Sequence, residues 1–593
     1  MNRFVAVSCC LAILGITTPT YSQLRVVSYN TARGPHNGLD TVLRAIGDEV
    51  TNDFARPIDV LTLQEQASSD STTSSIAGLL NKIYGAGIYD WATVDGDTSG
   101  AGRPGLIYNT TTVSLIDEVA FGQVNTNAQA RQTLRYQLRP VGYGSSADFY
   151  VYSNHYKAGT SQRDKDRREI EAISLRNDAD SLGQGTHIIY AGDYNIRGDQ
   201  EGSYQVLLGP GNGQAFDPID VAGDWHNKSD LRFTHTQNPA TTSVFPGQVT
   251  SGVDDRFDFQ LITDELLDGE GLSYIADSYH VFGNDGTHLC CDDPITTGTG
   301  AASNILNALA TASDHLPVVA DYHLPAAMGV SVDSVPVNVP FGSLVELGVR
   351  VENIANVLTS IGADELDYTL SVTGDLIGGA SGIAQALGGA KLHTVTLETS
   401  SLGTHSGTIA VNSSSQAVAN GNFSLPISFQ VISGCDFTDD SHCNLGDINT
   451  MFEQGDLVAG VSGGNQFDLN GDAVLDNDDV DLWLSEAAMI NELVSSYRRG
   501  DTEFDRDVDI TDFNALASHF DPTGDGDPVN GPLWNQGNFD GDDDTDITDF
   551  NLLAANFAPA GYATSAIPEP STMLLASLAL ILVGVSFRLS KNG

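Results

Sequence analysis

At 593 residues the chain is too long for one hydrophobic core, and its length predicts about three to four domains. It carries 27 Lys+Arg against 77 Asp+Glu, a formal net charge of −50. Such a field excludes a protein that grips long nucleic acid through general charge, because phosphate is repelled unless a metal or a local Lys/Arg cluster compensates. The excess is uneven, with 19 basic and 39 acidic residues over 24–325 but 3 and 29 over 435–560.

Residues 1–22 read as a signal peptide. Arg3 supplies the charged start, FVAVSCCLAILGI the apolar stretch, and Thr20-Tyr21-Ser22 the small residues before cleavage at about Gln23. Cys9 and Cys10 would leave with it.

Residues 24–325 alternate short apolar runs with amphipathic stretches, the pattern of an α/β domain. Helices are expected at LDTVLRAIGDEVTN, SSIAGLLNKIYG and SQRDKDRREIEAISLRNDADSL, the last with Ile170, Ile173 and Leu175 as its apolar stripe. Each apolar run ends or begins at a polar residue. Asn30 follows LRVVSY, Glu65 follows DVLTLQ and His155 follows FYVYSN. Asp193 and Asn195 follow IIYAG, Arg256 and Asp258 lie in DDRFDFQLI, and Asp314 and His315 precede LPVVADY. A strand that ends in a carboxylate, amide or imidazole presents it from a rigid support, and six such ends can converge. That set of groups is what hydrolysis of a phosphate ester needs. Cys290-Cys291 is a vicinal pair without zinc-type spacing, and its redox state stays open.

The run SYN (28–30), LQE (63–65), NHYKAG (154–159), GDYN (192–195), RFDF (256–259) and SDHLPV (313–318) resembles the endonuclease/exonuclease/phosphatase family across the whole of 24–325. The resemblance implies two packed mixed β-sheets flanked by helices. It also implies Mg²⁺ or Mn²⁺ held by Asn30, Glu65 and Asp314, in keeping with the one or two carboxylates that magnesium takes. Asp193 would orient or deprotonate the attacking water and Asn195 would hold a phosphoryl oxygen. Asp258 would fix His315 as an imidazolium that stabilises charge or moves a proton. His155 would contact the phosphate from the other side, with Lys157, Arg103 and Arg256 as further substrate contacts. A local cluster of Lys157, Arg163, Lys165, Arg167, Arg168 and Arg176 could offset the acidic field.

Residues 326–432 have few charges and alternating runs such as VSVDSVPVNVP and HTVTLETSS between Gly/Ser turns, predicting a β-sandwich module with a spacer or adhesive role. Residues 435–560 contain a fourfold repeat of 12-residue loops with oxygen-bearing side chains at positions 1, 3, 5, 9 and 12, each followed by an apolar helical run. The first loop offers Asp436, Asp440, Asn444 and Asp447, and the second Asp468, Asn470, Asp472, Asp476 and Asp479. The third offers Asp501, Glu503, Asp505, Asp509 and Asp512, and the fourth Asn538, Asp540, Asp542, Asp546 and Asp549. Calcium prefers six to eight oxygens in flexible geometry. These loops resemble the calcium repeats of dockerin-type and EF-hand-like modules, although Ser441, Ala473, Arg506 and Asp543 stand where glycine is usual. The resemblance supports calcium-dependent folding of a helical calcium-loop module more than it supports a cohesin-like partner. Cys435 and Cys443 flank the first loop, and an oxidising compartment favours a disulfide between them.

The apolar segment 572–587 is near the short limit of a membrane span and is followed by Arg588 and Lys591. With Pro568-Glu569-Pro570 before it, 568–593 resembles a PEP-CTERM tail. That implies a Gram-negative-type envelope protein, membrane contact through the tail, and handling by an exosortase. Three functions fit this chain: a secreted metal-dependent nuclease, the same chemistry on a phospholipid or small phosphate ester, and a non-catalytic calcium-binding envelope protein.

Overall fold

The apolar runs ending in polar residues fold into strands that bring those ends to a common edge. The protein is described by a computed structural model covering residues 23–562 apart from 52–53, 99, 126–128, 439, 441, 455–456, 458–465, 471–473 and 525–530. The expected signal peptide, the 568–593 tail and Asp472 therefore lie outside the described residues.

Among the described residues, twelve strands build the two large sheets of the first half, and Val50–Thr51 pairs separately with Phe54–Ala55. The twelve are Gln23–Asn30 (β1), Val60–Gln66 (β2), Tyr89–Trp91 (β3), Arg103–Asn109 (β4), Val113–Phe121 (β5) and Thr133–Pro140 (β6). Phe149–His155 (β7), Ile188–Asp193 (β8), Asp258–Ile262 (β9), Ser273–Tyr274 (β10), His280–Val281 (β11) and Val318–His323 (β12) follow. One sheet runs β10-β12-β1-β2-β4-β3 with β11 also on β12, and the other runs β9-β8-β7-β6-β5. Each is mixed, with one parallel pair: β1 with β2, and β7 with β8. β12 is antiparallel to β1 and β9 antiparallel to β8. Antiparallel strands therefore enter the sheets where the parallel pairs leave them, and chain segments before and after these strands meet at one edge.

β1, β8, β9 and β12 are buried along their whole length, as strands covered on both faces must be. The seam between the sheets is partly polar: Gln64 Nε2 donates to Ser28 Oγ at 3.5 Å and Ser153 Oγ at 3.3 Å, and Gln260 Nε2 donates to the carbonyls of Val26 and Val318.

Helices Leu39–Asp48 (α1), Ser74–Tyr84 (α2), Gln162–Ser181 (α3), Gly202–Leu208 (α4) and Ser303–Ala312 (α5) flank the sheets. α1 stops at Asp48, four residues short of the expected end. α3 corrects the expected stripe. Ile170 and Ile173 are exposed, and the buried face is Arg168, Glu171, Ala172, Leu175, Arg176 and Ala179. Its three buried charges have dedicated partners, so the inward face is read from ion pairs rather than from apolarity.

Residues 328–432 form a four-stranded and a five-stranded sheet sharing one core that includes Val349, Val351, Leu370, Val395, Val411 and Phe429. Asp364 joins this unit to the first half, accepting from the backbone N–H of Ala326 at 2.8 Å and of Gly271 at 3.2 Å. Further on, helices Leu445–Gln454 (α6), Asn477–Ile490 (α7), Ile510–Ser518 (α8) and Ile547–Asn556 (α9) follow the four loops and pack around Trp483 and Trp534. Cys435 is bonded to Cys443, and Cys290 to Cys291. Among the described residues no helix is long and apolar enough to cross a membrane.

Candidate active site

Asn30 and Glu65 leave the ends of β1 and β2 in one sheet, and His155 and Asp193 leave β7 and β8 in the other. Asn30 Nδ2 lies 3.2 Å from Asp193 Oδ2 and 3.4 Å from Glu65 Oε1, so its amide joins the two sheets. Its Oδ1 accepts from Ala32 N at 3.0 Å. Glu65 sits at a register irregularity in β2 with φ 63, which turns its carboxylate out of the strand alternation. Gly102 makes room for this: a Cβ there would lie 2.5 Å from Glu65 Cα.

Asp193 is opposite His155 on one side and Asp258 on the other. Its Oδ1 accepts from the backbone N–H of Asn195 at 3.1 Å and from Asn195 Nδ2 at 2.8 Å, and Asn195 holds φ 52 to close that turn. Asp258 Oδ2 is 2.8 Å from His315 Nδ1, and His315 Nε2 is 3.8 Å from Asp193 Oδ2. Ser313 Oγ donates to the Asn30 carbonyl at 2.6 Å and accepts from His315 N at 3.1 Å, tying the SDHLPV segment to β1.

Neighbouring charges leave one of the two buried histidines charged and the other neutral. For His315, desolvation opposes the charge, but Asp258 and Asp193 beside it raise its pKa well above the ordinary value, making it an imidazolium at neutral pH. His155 is pushed well below the ordinary value by burial and by the nearby positive Arg131 and His315, so it is neutral. Its Nε2 lies 3.5 Å from Asp193 and 3.7 Å from Glu65. Asp193 is pushed up to about 7, first by burial and then by Asp258 and Glu65, with His315 opposing. Glu65 is raised by burial and by Asp314.

The structure thus brings together Asn30, Glu65, His155, Asp193, Asn195, Asp258 and His315. It treats the other expected residues differently. One Asp314 oxygen accepts from Val249 N at 2.9 Å, and the carboxylate bears on Glu65 and His315 only through charge. Arg256 is corrected as a substrate contact: it is fully buried, paired with Asp217 at 2.8 Å, and lies over Phe259, Trp225 and Tyr279. A guanidinium among three aromatic rings is a packing element there. Arg103 pairs with Asp95 at 2.9 Å and Lys157 with Asp164 at 3.2 Å. Two members of the basic cluster on α3 are likewise tied down, Arg168 to Glu201 and Arg176 to Asp180.

Two residues escaped the sequence reading. Arg131 is buried, donates to the carbonyls of His155 and Tyr156, and places its charge near Asp193 and Glu65. Glu171 on α3 holds that loop by accepting from Ala130 N, Arg131 N and Lys157 N, and burial pushes it up to about 7. A single Arg in a polar loop carries no local signal. Gln237 also faces the site, its Nε2 3.2 Å from His315 Nε2.

In the C-terminal loops, Asp476, Asp509 and Asp546 at position 9 cap the following helices, and Asp479, Asp512 and Asp549 at position 12 complete the capping boxes. Helix capping therefore accounts for part of the acid periodicity. Asp436, Asp440 and Asp447 each bring a carboxylate oxygen within 4.8 Å of the others. Arg506, in the position usual for glycine, adopts φ 77.

Residues 566–591 match the family model of the PEP-CTERM protein-sorting motif. No curated protein matches the chain. Among solved structures, the chain is similar to the endonuclease/exonuclease/phosphatase from Bacteroides vulgatus, at 15% identity over 51% of this chain and 99% of that one, with a TM-score of 0.33. It is also similar to the human Nocturnin catalytic domain with bound sulfate anion, at 13% identity over 51% and 94%, TM-score 0.33. A D. rerio TDP2 structure complexed with single-strand DNA product aligns at 16% identity over 51% and 99%, TM-score 0.31.

Proposed function

We propose that this chain is an exported, metal-dependent phosphoesterase that hydrolyses phosphodiesters, with nucleic acid as the first substrate class to test. One observation carries the reading: a buried Asp258–His315 pair at 2.8 Å whose second ring nitrogen faces Asp193, with Asn30 and Glu65 beside it.

Asp193, held by both Asn195 nitrogens and raised toward neutrality, accepts the proton of an attacking water. The His315 imidazolium, fixed at Nδ1 by Asp258, offers its Nε2 proton to phosphoryl oxygen as negative charge develops. Arg131 adds a fixed positive charge beneath the same carboxylates. The hard carboxylate oxygens of Glu65 fit Mg²⁺ or Mn²⁺, Asn30 would join them by turning its amide oxygen from Ala32 N toward the ion, and Asp314 would supply charge from farther out. Such an ion, when bound, neutralises phosphate charge and polarises a phosphoryl oxygen.

A second reading keeps the chemistry and changes the substrate to a phospholipid head group or small phosphodiester. The pairing of Lys157, Arg168 and Arg176 with acids favours it, because those cations are already neutralised within an acidic chain. Export and envelope attachment are supported by the sorting-motif match at 566–591, which implies exosortase processing. Calcium in the C-terminal loops is supported by the converging Asp436, Asp440 and Asp447. Asp540, which burial and neighbouring acids push up to about 7, supports it as well.

The test is hydrolysis of DNA, RNA, phosphatidylcholine vesicles and bis(4-nitrophenyl) phosphate by the purified chain with Mg²⁺ or Mn²⁺, beside Glu65→Gln and His315→Ala. Turnover abolished by both substitutions is expected. No turnover of any substrate would leave the non-catalytic envelope protein.

A further inference from the structure

We propose that Asp254, Asp255 and His226 form a second divalent-cation site, suited to zinc, beside the ladder that carries Gln237 and Asp258. The site shares no residue with the Glu65–Asn30 pair and does not depend on the phosphoesterase reading.

Asp254 and Asp255 are consecutive carboxylates that are only 6% and 3% exposed. Asp254 Oδ1 is buried and has no hydrogen-bond partner. A buried, unpaired carboxylate is costly unless a cation meets it. His226 Nδ1 lies 2.8 Å from Asp255 Oδ1 and 3.9 Å from Asp254 Oδ2, and one donor atom from each of the three residues falls within 4.8 Å of the others. Two ligands about 2.0–2.1 Å from a tetrahedral zinc stand roughly 3.4 Å apart, which those two distances bracket. An imidazole with two carboxylates is a donor set that zinc accepts, whereas calcium favours oxygen alone.

The surroundings add negative charge. Asp292 acts on Asp254 and Asp224 on Asp255. Arg197, 39% exposed, reaches Asp255 Oδ2 at 3.5 Å and is the main opposing cation, its charge acting on both carboxylates from the solvent side. Burial and Asp255 together push Asp254 up to about 7, as expected for a pair short of a cation.

The site's place in the fold gives it a task. Asp254 N donates to the Gln237 carbonyl at 2.8 Å, Asn227 N donates to the Asp254 carbonyl at 2.8 Å, and Leu316 N donates to the Thr236 carbonyl at 2.7 Å. A cation here would clamp the 224–228 loop onto the segments that carry Gln237, Asp258 and His315.

The experiment uses the full chain, stripped with chelator and then supplied with Zn²⁺ alone. Zinc retained after gel filtration should fall by one ion per chain in Asp254→Asn relative to wild type. In chelator, Asp254→Asn should unfold at or above the wild-type temperature, because it removes a buried unpaired charge, yet gain less from Zn²⁺. His226→Gln, at a part-exposed position, provides the same comparison if Asp254→Asn does not fold. A zinc anomalous peak beside His226 Nδ1 in wild-type crystals is expected. Equal zinc retention in wild type and variants, or no peak beside His226, would overturn the proposal and leave a plain Asp–His hydrogen bond.

Discussion

Asp258→Asn isolates what the carboxylate does for His315, because the change keeps shape and removes charge. At 2.8 Å and an effective dielectric of about 20, opposite unit charges attract by about 6 kcal/mol, which favours the protonated ring. Asp193 at 3.8 Å still attracts by about 4 kcal/mol, so the ring keeps part of its preference for the proton. The sign follows from the direction of the shift. His315 is raised in the wild type, so its charge is complete below the ordinary histidine range and lost only as pH rises through the raised value. In Asp258→Asn that loss should occur at lower pH. Initial rates on bis(4-nitrophenyl) phosphate with saturating Mn²⁺, from pH 5.5 to 9, read the effect. The deficit at pH 8 should be on the order of a hundredfold or more and should shrink toward pH 5.5. A deficit that is constant with pH in a folded variant would refute the imidazolium argument, as would no deficit at all.

Asp364→Asn should flatten the pH dependence of stability. Burial raises this carboxyl to about 7, so its contribution is full below the ordinary carboxylate range and is lost as pH rises toward 7. The amide can still accept from Ala326 and Gly271, and thermal melts at pH 5 and 8 should converge relative to wild type; parallel behaviour would remove the claim. Arg131→Lys keeps a charge but loses the Nη1 that donates to both the His155 and Tyr156 carbonyls, predicting at least a roughly tenfold fall in kcat and about 1–3 kcal/mol less stability. Wild-type kinetics in a stably folded Arg131→Lys would show that the guanidinium is dispensable. EGTA should reduce helical and near-ultraviolet dichroism around Trp483 and Trp534, and spectra indifferent to chelator would count against calcium in the loops.

Local pattern determined much of this protein. Apolar runs of strand length are buried strands in either reading, and their terminal polar residues had to emerge at strand ends, so Asn30, Glu65, His155, Asp193, Asp258 and His315 were legible as a set. The fourfold loop spacing and the apolar helices behind it were legible for the same reason, since capping and periodicity are local properties.

Tertiary structure decided what each group is worth. Arg256 and Arg103 look alike in sequence, yet one is sealed among aromatics with Asp217 and the other lies at the surface with Asp95. The inward face of α3 carries Arg168, Glu171 and Arg176 because, apart from Asp180, their partners come from residues 130–131, 157 and 201 and from the C-terminal end of α4 with Gly209, which no helical period anticipates. Arg131 became visible only when its loop was placed beneath His155. That His155 is neutral and His315 charged follows from which neighbours share their burial: cations for one, carboxylates for the other. Residue type and strand position are written in the chain, but desolvation and pairing are properties of contacts between distant segments, and those exist only once the two sheets have packed.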